Sequence, residues 1–208
     1  MSRMATFTPD VSKWAAWTPG EVAEILAGVD APWYVAGGWA IDLFLGGQRR
    51  EHADLEIAVP KDRFHEIAAA LTDYELYAVR DGRATALSED PDALDTTHQT
   101  WVRDAATDRW RLDVFRDPSD GDEWIFRRDP RISRLYATVV SWTSSRIPYG
   151  CPEVILLFKA SRADEEKHRD DFAAVLPRLD SGRRSWLADA LRLVHPGHPW
   201  LDHLDAGD

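Results

Sequence analysis

The spacing of hydrophobic residues changes period several times along the chain, and each change predicts an element. Thr18-Pro19-Gly20-Glu21 has the form of a capping box with proline in the first turn, and Val22, Ile25 and Leu26 follow at helical spacing. Residues 34–36 are an apolar run that stops at Gly37-Gly38, and residues 39–45 are apolar nearly all round before Gly46-Gly47. This predicts a strand, a tight turn, a buried helix and a left-handed stop. Across residues 54–59 the period is two: Leu55, Ile57 and Val59 face a core, while Asp54 and Glu56 project together from the other side. Pro60 then opens an amphipathic helix with a buried stripe of Phe64, Ile67, Ala68 and Leu71.

Residues 74–87 carry two short candidate strands on either side of Gly82. Residues 88–95 are acidic and turn-rich, which suits a solvated loop or a rim that attracts a cation. Residues 97–103 and 110–116 read as a hairpin, with Asp113 pointing away from Leu112 and Val114, and residues 124–126 and 132–140 are expected to continue the sheet. A seam falls at residues 147–152, after which Val154, Leu157 and Phe158, then Phe172, Val175 and Leu176, then Trp186, Leu187, Ala190, Leu191 and Val194 mark three helices. The predicted class is α+β: a mixed sheet with packed helices over residues 1–146 and a small C-terminal helical part, 147–208, packed on it.

Composition narrows the setting. The 208 residues are 44% hydrophobic, enough for one ordinary core. With Lys+Arg 25 against Asp+Glu 36, the formal net charge of -11 disfavours DNA or RNA as a partner and favours a cationic small molecule. Cys151 is the sole cysteine, so no intrachain disulfide forms. The N-terminal stretch, residues 1–10, has no apolar signal region and no later run approaches membrane-spanning length, so the expected location is cytoplasmic and off the membrane. Ten tryptophans are many for this length, and the pattern places only some of them.

The chemistry concentrates in residues 33–59. A helix that starts at Gly37-Gly38 points unsatisfied N–H groups at the turn, which makes an anion site. Asp54 and Glu56 on one strand face repel each other unless a cation lies between them, and paired oxygen ligands suit Mg²⁺ held jointly with substrate phosphates. Asp113, a charge in mid-strand, either pairs with Arg111 or Arg116 or joins the two carboxylates; Asp117 is the rival position for the latter role, but beside Pro118 at a strand end it reads better as a turn residue.

Gly37-Gly38-Trp39-Ala40-Ile41-Asp42, followed by Arg50-Glu51-His52-Ala53-Asp54-Leu55-Glu56-Ile57, resembles the nucleotidyltransferase signature of the DNA polymerase beta superfamily, and within it the antibiotic branch that adenylylates aminoglycosides and lincosamides. Glu56 stands where that branch usually has Asp. The resemblance implies a polymerase-beta-like fold and transfer of AMP from ATP, with Mg²⁺, to a hydroxyl of a small, cationic, aminoglycoside-type acceptor. Alternative acceptors or roles are a lincosamide, a protein target in an antitoxin-like enzyme, or nucleotide binding without catalysis. It further implies Asp54, Glu56 and Asp113 as catalytic and metal-binding residues, and Gly37, Gly38, Arg50, His52 and Lys159 as nucleotide-binding ones. By the residues alone, His52 equally suits loop packing, and Lys159 a side chain snorkelling from a helix end. Arg127-Arg128 suits either a triphosphate contact or solvent, and His195 with His198 fits a pinned terminus better than a metal site.

Overall fold

Thr18 opens the first helix as its surroundings demand: its hydroxyl accepts from Glu21 N–H and the Glu21 side chain accepts from Thr18 N–H, closing the capping box of α1 (Pro19–Ile25). The computed structural model describes residues 6–206, so residues 1–5 of the N-terminal stretch lie outside the described residues. After α1 come β1 (Tyr34–Val35), α2 (Gly37–Leu45), β2 (Glu56–Pro60), α3 (Phe64–Ala70), β3 (Glu75–Arg80) and β4 (Arg83–Ala86). The middle of the chain supplies α4 (Ala93–Thr96), β5 (Gln99–Asp104), β6 (Arg109–Asp117), β7 (Ser119–Asp120), β8 (Glu123–Ile125) and β9 (Ser133–Leu135). It ends with α5 (Tyr136–Val139), β10 (Val140–Trp142), β11 (Pro148–Gly150), α6 (Pro152–Ala160), α7 (Glu166–Val175), α8 (Ser181–Val194) and α9 (Leu201–Asp205).

Eight strands form one mixed sheet in the order β10-β11-β1-β2-β6-β5-β3-β4. The β1–β11 and β2–β6 pairs are parallel, and the other neighbours run antiparallel. Leu55, Ile57 and Val59 are fully buried with Leu112 and Val114, in one core with Val22 of α1, Leu26 at its C-cap, and Phe64, Ile67 and Leu71 after β2. The period-two reading of these strands therefore fixes which face is left for chemistry.

The structure corrects three details. Residues 124–126 and 132–140 do not continue the main sheet directly: β8 and β9 pair with β7 in a separate three-stranded sheet, and only Val140–Trp142 rejoins the main one. Position 147 is not where sheet gives way to helix, because β11 pairs with β1 before α6 begins. The helix expected from Trp39 begins two residues earlier, at Gly37. None of these was visible in periodicity, since strands of two or three residues are too short to show a period.

Several tryptophans form a second core on the far half of the sheet. Trp101 lies edge-on to both Trp14 and Trp110, and Tyr77 packs against Trp110 and Phe7. The register steps from Val102 opposite Leu112 to Arg103 opposite Trp110, so Arg111 is an extra residue in the ladder. That bulge turns Trp110 to the face of Trp101, against the simple alternation of β6. Among the described residues, no helix is long and apolar enough to cross a membrane.

Leu112→Ala should cost about 2–5 kcal/mol in urea unfolding, because a fully buried side chain leaves a cavity. Thr18→Ala should cost about 1 kcal/mol through loss of the cap. Equal effects of the two would contradict this assignment of the core.

Candidate active site

Parallel pairing of β2 with β6 sets Glu56 directly opposite Asp113, and Ala58 opposite Phe115. These side chains share the face opposite Ile57 and Val114; Glu56, Ala58 and Phe115 line the floor of a cleft of about 630 Å³, whereas Asp113 is buried and does not itself line it. The start of α2 forms one wall, and α6, with the turn that leads into α7, forms the other. Asp54 and Glu56 both line the cleft, as alternation requires.

The two glycines are needed for close approach rather than for turning alone. Gly37 has a positive φ of 61°, and a Cβ there would overlap the Glu56 carboxylate. A Cβ on Gly38 would run into Arg50 and lie 2.5 Å from the His52 ring. Ala36, the N-cap of α2, contributes no side-chain hydrogen bond, so the first N–H groups of the helix remain available at the cleft wall. Gly46, at φ 88°, ends the helix with its N–H on the carbonyls of Asp42 and Leu43.

The carboxylates are held under electrostatic tension. Burial and the charge of Asp54 raise the Glu56 carboxyl above its ordinary range, although Lys159, Arg127 and Lys167 oppose the rise. Asp113 is 3% exposed, and burial together with Glu56 pushes it well up. It is not paired with Arg111 or Arg116. Arg116 reaches Thr97 and Thr100, while Arg111 reaches Asp104 and the Ala15 carbonyl. The Gln99 amide donates to Asp113 Oδ2 at 2.5 Å, and buried Oδ1 has no partner. Among the described residues no three His, Cys, Asp or Glu side chains close a metal cage on their own. Asp54 and Glu56 in the cleft, with the buried free oxygen of Asp113 on the same sheet face, still fit Mg²⁺, which takes one or two carboxylates and completes its shell with water and phosphate.

Asp117 differs from its reading as a turn residue. It ends β6, is 2% exposed, and its Oδ2 accepts from Tyr34 Oη at 2.6 Å and from Trp124 Nε1 at 2.9 Å. Those bonds commit it to holding β1 and β8 against β6. His52 lines the cleft, and its Nε2 lies 2.7 Å from the buried Asp42 carboxylate while its ring packs on Trp39, as loop packing requires. Lys159 reaches the cleft from α6 and pairs with Asp171 at 3.0 Å, and Arg50 lies 3.9 Å from the same carboxylate. Arg127 and Arg128 also line the cleft; Arg127 is half-buried there, whereas Arg128 is exposed. The acidic residues 88–95 do not reach it. His198 faces the Ala160 carbonyl at 3.1 Å, and Trp200 stacks on Phe172, which pins the terminus.

Sequence reasoning missed Asp42, Asp171, Arg162, Lys167 and His168. Asp42 carried a signal, as the one charge in an otherwise apolar helix. Asp171 and its neighbours sit on a charged, ordinary-looking helix and gave none.

Residues 20–118 match the profile of the aminoglycoside-2''-adenylyltransferase family. Through this segment, just under half of the chain, the protein is similar to the antibiotic adenylyltransferases. Solved structures extend the likeness beyond it. The solution structure of the antibiotic-resistance factor ANT(2'')-Ia aligns with a TM-score of 0.58 at 18% identity, over 91% of this chain and 97% of that one. A crystal structure of ANT(2'')-Ia in complex with adenylyl-2''-tobramycin gives 0.58 at 17% identity, over 85% and 98%. The lincomycin-bound lincosamide adenylyltransferase LnuA gives 0.52 at 16% identity, over 74% and 92%. No curated protein matches the chain in sequence. At these identities the structural likeness establishes a shared fold, and the matched segment contains the glycine pair and all three carboxylates.

Burial raises the Asp117 carboxyl above its ordinary value of 3.8. A group that holds its proton more tightly when folded loses stability as pH rises from the unfolded value through the folded one. Asp117→Asn keeps a carbonyl oxygen to accept both bonds, so its thermal midpoint should gain on that of the wild type as pH rises above about 4. A pH-independent difference would contradict the raised carboxyl.

Proposed function

We propose that this protein is an adenylyltransferase that transfers AMP from ATP to a hydroxyl of a small aminoglycoside-type molecule, releasing pyrophosphate. What carries the reading is the juxtaposition of Glu56 and Asp54 with the open start of α2, acid facing anion cradle across one cleft. The α2 N–H groups at Gly37 and Gly38 bind β- and γ-phosphate oxygens, with Lys159 supplying charge from the opposite wall. His52, oriented by Asp42, and Arg50 fix the loop that closes on the glycines.

Asp54 and Glu56 would hold Mg²⁺ together with substrate phosphates, with Asp113 as the third carboxylate of the same face, and the ion would supply charge compensation for the phosphates and for the leaving oxygen. Asp113, oriented by Gln99 and with Oδ1 unpartnered, takes the proton from the acceptor hydroxyl as its oxygen bonds to the α-phosphorus. The need for ATP and Mg²⁺ suits work in the cytoplasm. The cleft's basic wall serves a nucleotide, and the acidic overall charge makes a nucleic acid an unsuitable acceptor.

Transfer of label from α-labelled ATP to a panel of aminoglycosides and lincosamides tests the reading. Asp54→Ala should abolish transfer while leaving the thermal midpoint near that of the wild type, since the side chain faces the cleft. Asp113→Asn should bind ATP normally and transfer about 10²-fold more slowly or worse. Parallel loss of ATP binding would make Asp113 chiefly a metal ligand.

A cationic acceptor should raise the midpoint in the presence of a non-hydrolysable ATP analogue, by an amount that shrinks with added NaCl. If only an uncharged or singly charged compound accepts AMP, the acceptor is lincosamide-like and the enzyme class stands.

A further inference from the structure

Most cations around the cleft already have a protein partner. Lys159 is 3.0 Å from Asp171, and Arg50 shares that carboxylate at 3.9 Å. Arg162 and Lys167 both pair with Glu165, at 3.1 and 3.3 Å. Arg128 donates to the Phe158 carbonyl and to Ser161 Oγ, each at 2.8 Å. Arg127 is the exception: among the described residues it makes no hydrogen bond or ion pair, although it lines the cleft and its Nη1 is buried.

Its position is nonetheless fixed. The guanidinium carbon lies 4.9 Å from the centre of the Phe115 ring and 5.3 Å from that of Phe158, so the cation is held between two aromatic residues that also line the cleft. The turn that carries it, between β8 and β9, is tied by Phe126 N–H to the Ile132 carbonyl, Asp129 N–H to Phe126 and Ile132 N–H to Asp129. A half-buried charge with an unmet donor is costly, and contact with two rings offsets only part of that cost. An anion placed in the cleft would satisfy it. Phe158 immediately precedes Lys159 on α6, so Arg127 belongs to the same basic wall, on the side of the cleft where the triphosphate tail would lie.

We propose that Arg127 binds the pyrophosphate portion of the nucleotide and is a catalytic residue that stabilises it as a leaving group. The inference rests on the nucleotidyltransferase reading of the cleft. In the step concerned, the acceptor oxygen forms its bond to the α-phosphorus and the bond from that phosphorus to the bridging oxygen breaks. The electron pair goes to pyrophosphate, and the hydroxyl proton goes to Asp113. Arg127 acts on the negative charge that grows on the departing group, and a planar guanidinium offers it paired donors. Opposition by Arg127 to the raised proton affinity of Glu56 agrees with a position close to the acidic pair. The family segment ends at residue 118, so Arg127 comes from outside it, and the small β7-β8-β9 sheet is the scaffold that delivers it.

The test is binding of inorganic pyrophosphate and of AMP, each with and without Mg²⁺, by calorimetry on the full chain. Arg127→Met fills the gap between the two rings without charge, and should weaken pyrophosphate about 10- to 100-fold, the usual effect of one charge-assisted contact, with AMP unchanged. Arg127→Lys should recover part of the loss, and Arg131→Met, from the same turn but paired with Asp129, should bind as the wild type does. In turnover, Arg127→Met should lower kcat.

Unchanged pyrophosphate affinity in Arg127→Met overturns the proposal, as does equal weakening of AMP. If Arg127→Met fails to fold, the comparison of wild type with Arg127→Lys decides, and equal pyrophosphate affinity there overturns it. Wild-type protein that transfers AMP but shows no role for Arg127 leaves the enzyme class intact, whereas wild-type protein that binds no triphosphate overturns both.

Discussion

The constraint on which the site depends is the parallel pairing of β2 with β6, which sets Glu56 opposite Asp113 with Asp54 close by. Three carboxylates gathered on one sheet face, partly or wholly out of water, oppose folding by their mutual repulsion. The surrounding fold offsets this in two ways. On the opposite face Leu55, Ile57, Val59, Leu112 and Val114 lock the same two strands into the main core, so the register cannot slip without exposing them. Around the rim, Lys159, Arg127 and Lys167 bring positive charge within range of Glu56.

The second organising element is α2, which links the acidic strand to the helical wall. Its glycines let the chain pass close against Glu56, Arg50 and His52, its only carboxylate orients His52, and its body packs against α6 and α7. Asp171 on α7 then gathers Lys159 and Arg50 from two different segments. One buried carboxylate thus joins the two sides of the cleft and holds two cations near a place where a triphosphate would compete for them. The β11 strand reinforces the same connection by leading directly from the sheet into α6.

Trp14, Trp101 and Trp110 serve the outer half of the sheet, away from this cleft wall. Trp14 and Phe7 come from the segment before α1 and close over Trp101, Trp110 and Tyr77, which gives the outer strands a core of their own. Trp101 is also the sheet neighbour of Asp113, so the two cores meet at the proposed base. Packing on one side and charge on the other therefore converge on the same residue of β6.

By itself the sequence determined the parts whose physics is local. Glycine next to glycine at a helix start, alternation through residues 54–59 and a capping box at Thr18 each act within a few neighbours, and they were legible together with the α+β class and the family resemblance. Asp113 was legible as a charge without a reason in mid-strand. Only tertiary structure decided what depended on distant partners: that Asp117 is tied to Tyr34 and Trp124, that Asp171 collects Lys159 and Arg50, and that the bulge at Arg111 turns Trp110. The same holds for Arg127, since an arginine in a turn has no pattern of its own. Whether it lies in solvent or between Phe115 and Phe158 is set by how three separate segments pack, and chain-local periodicity carries no trace of that.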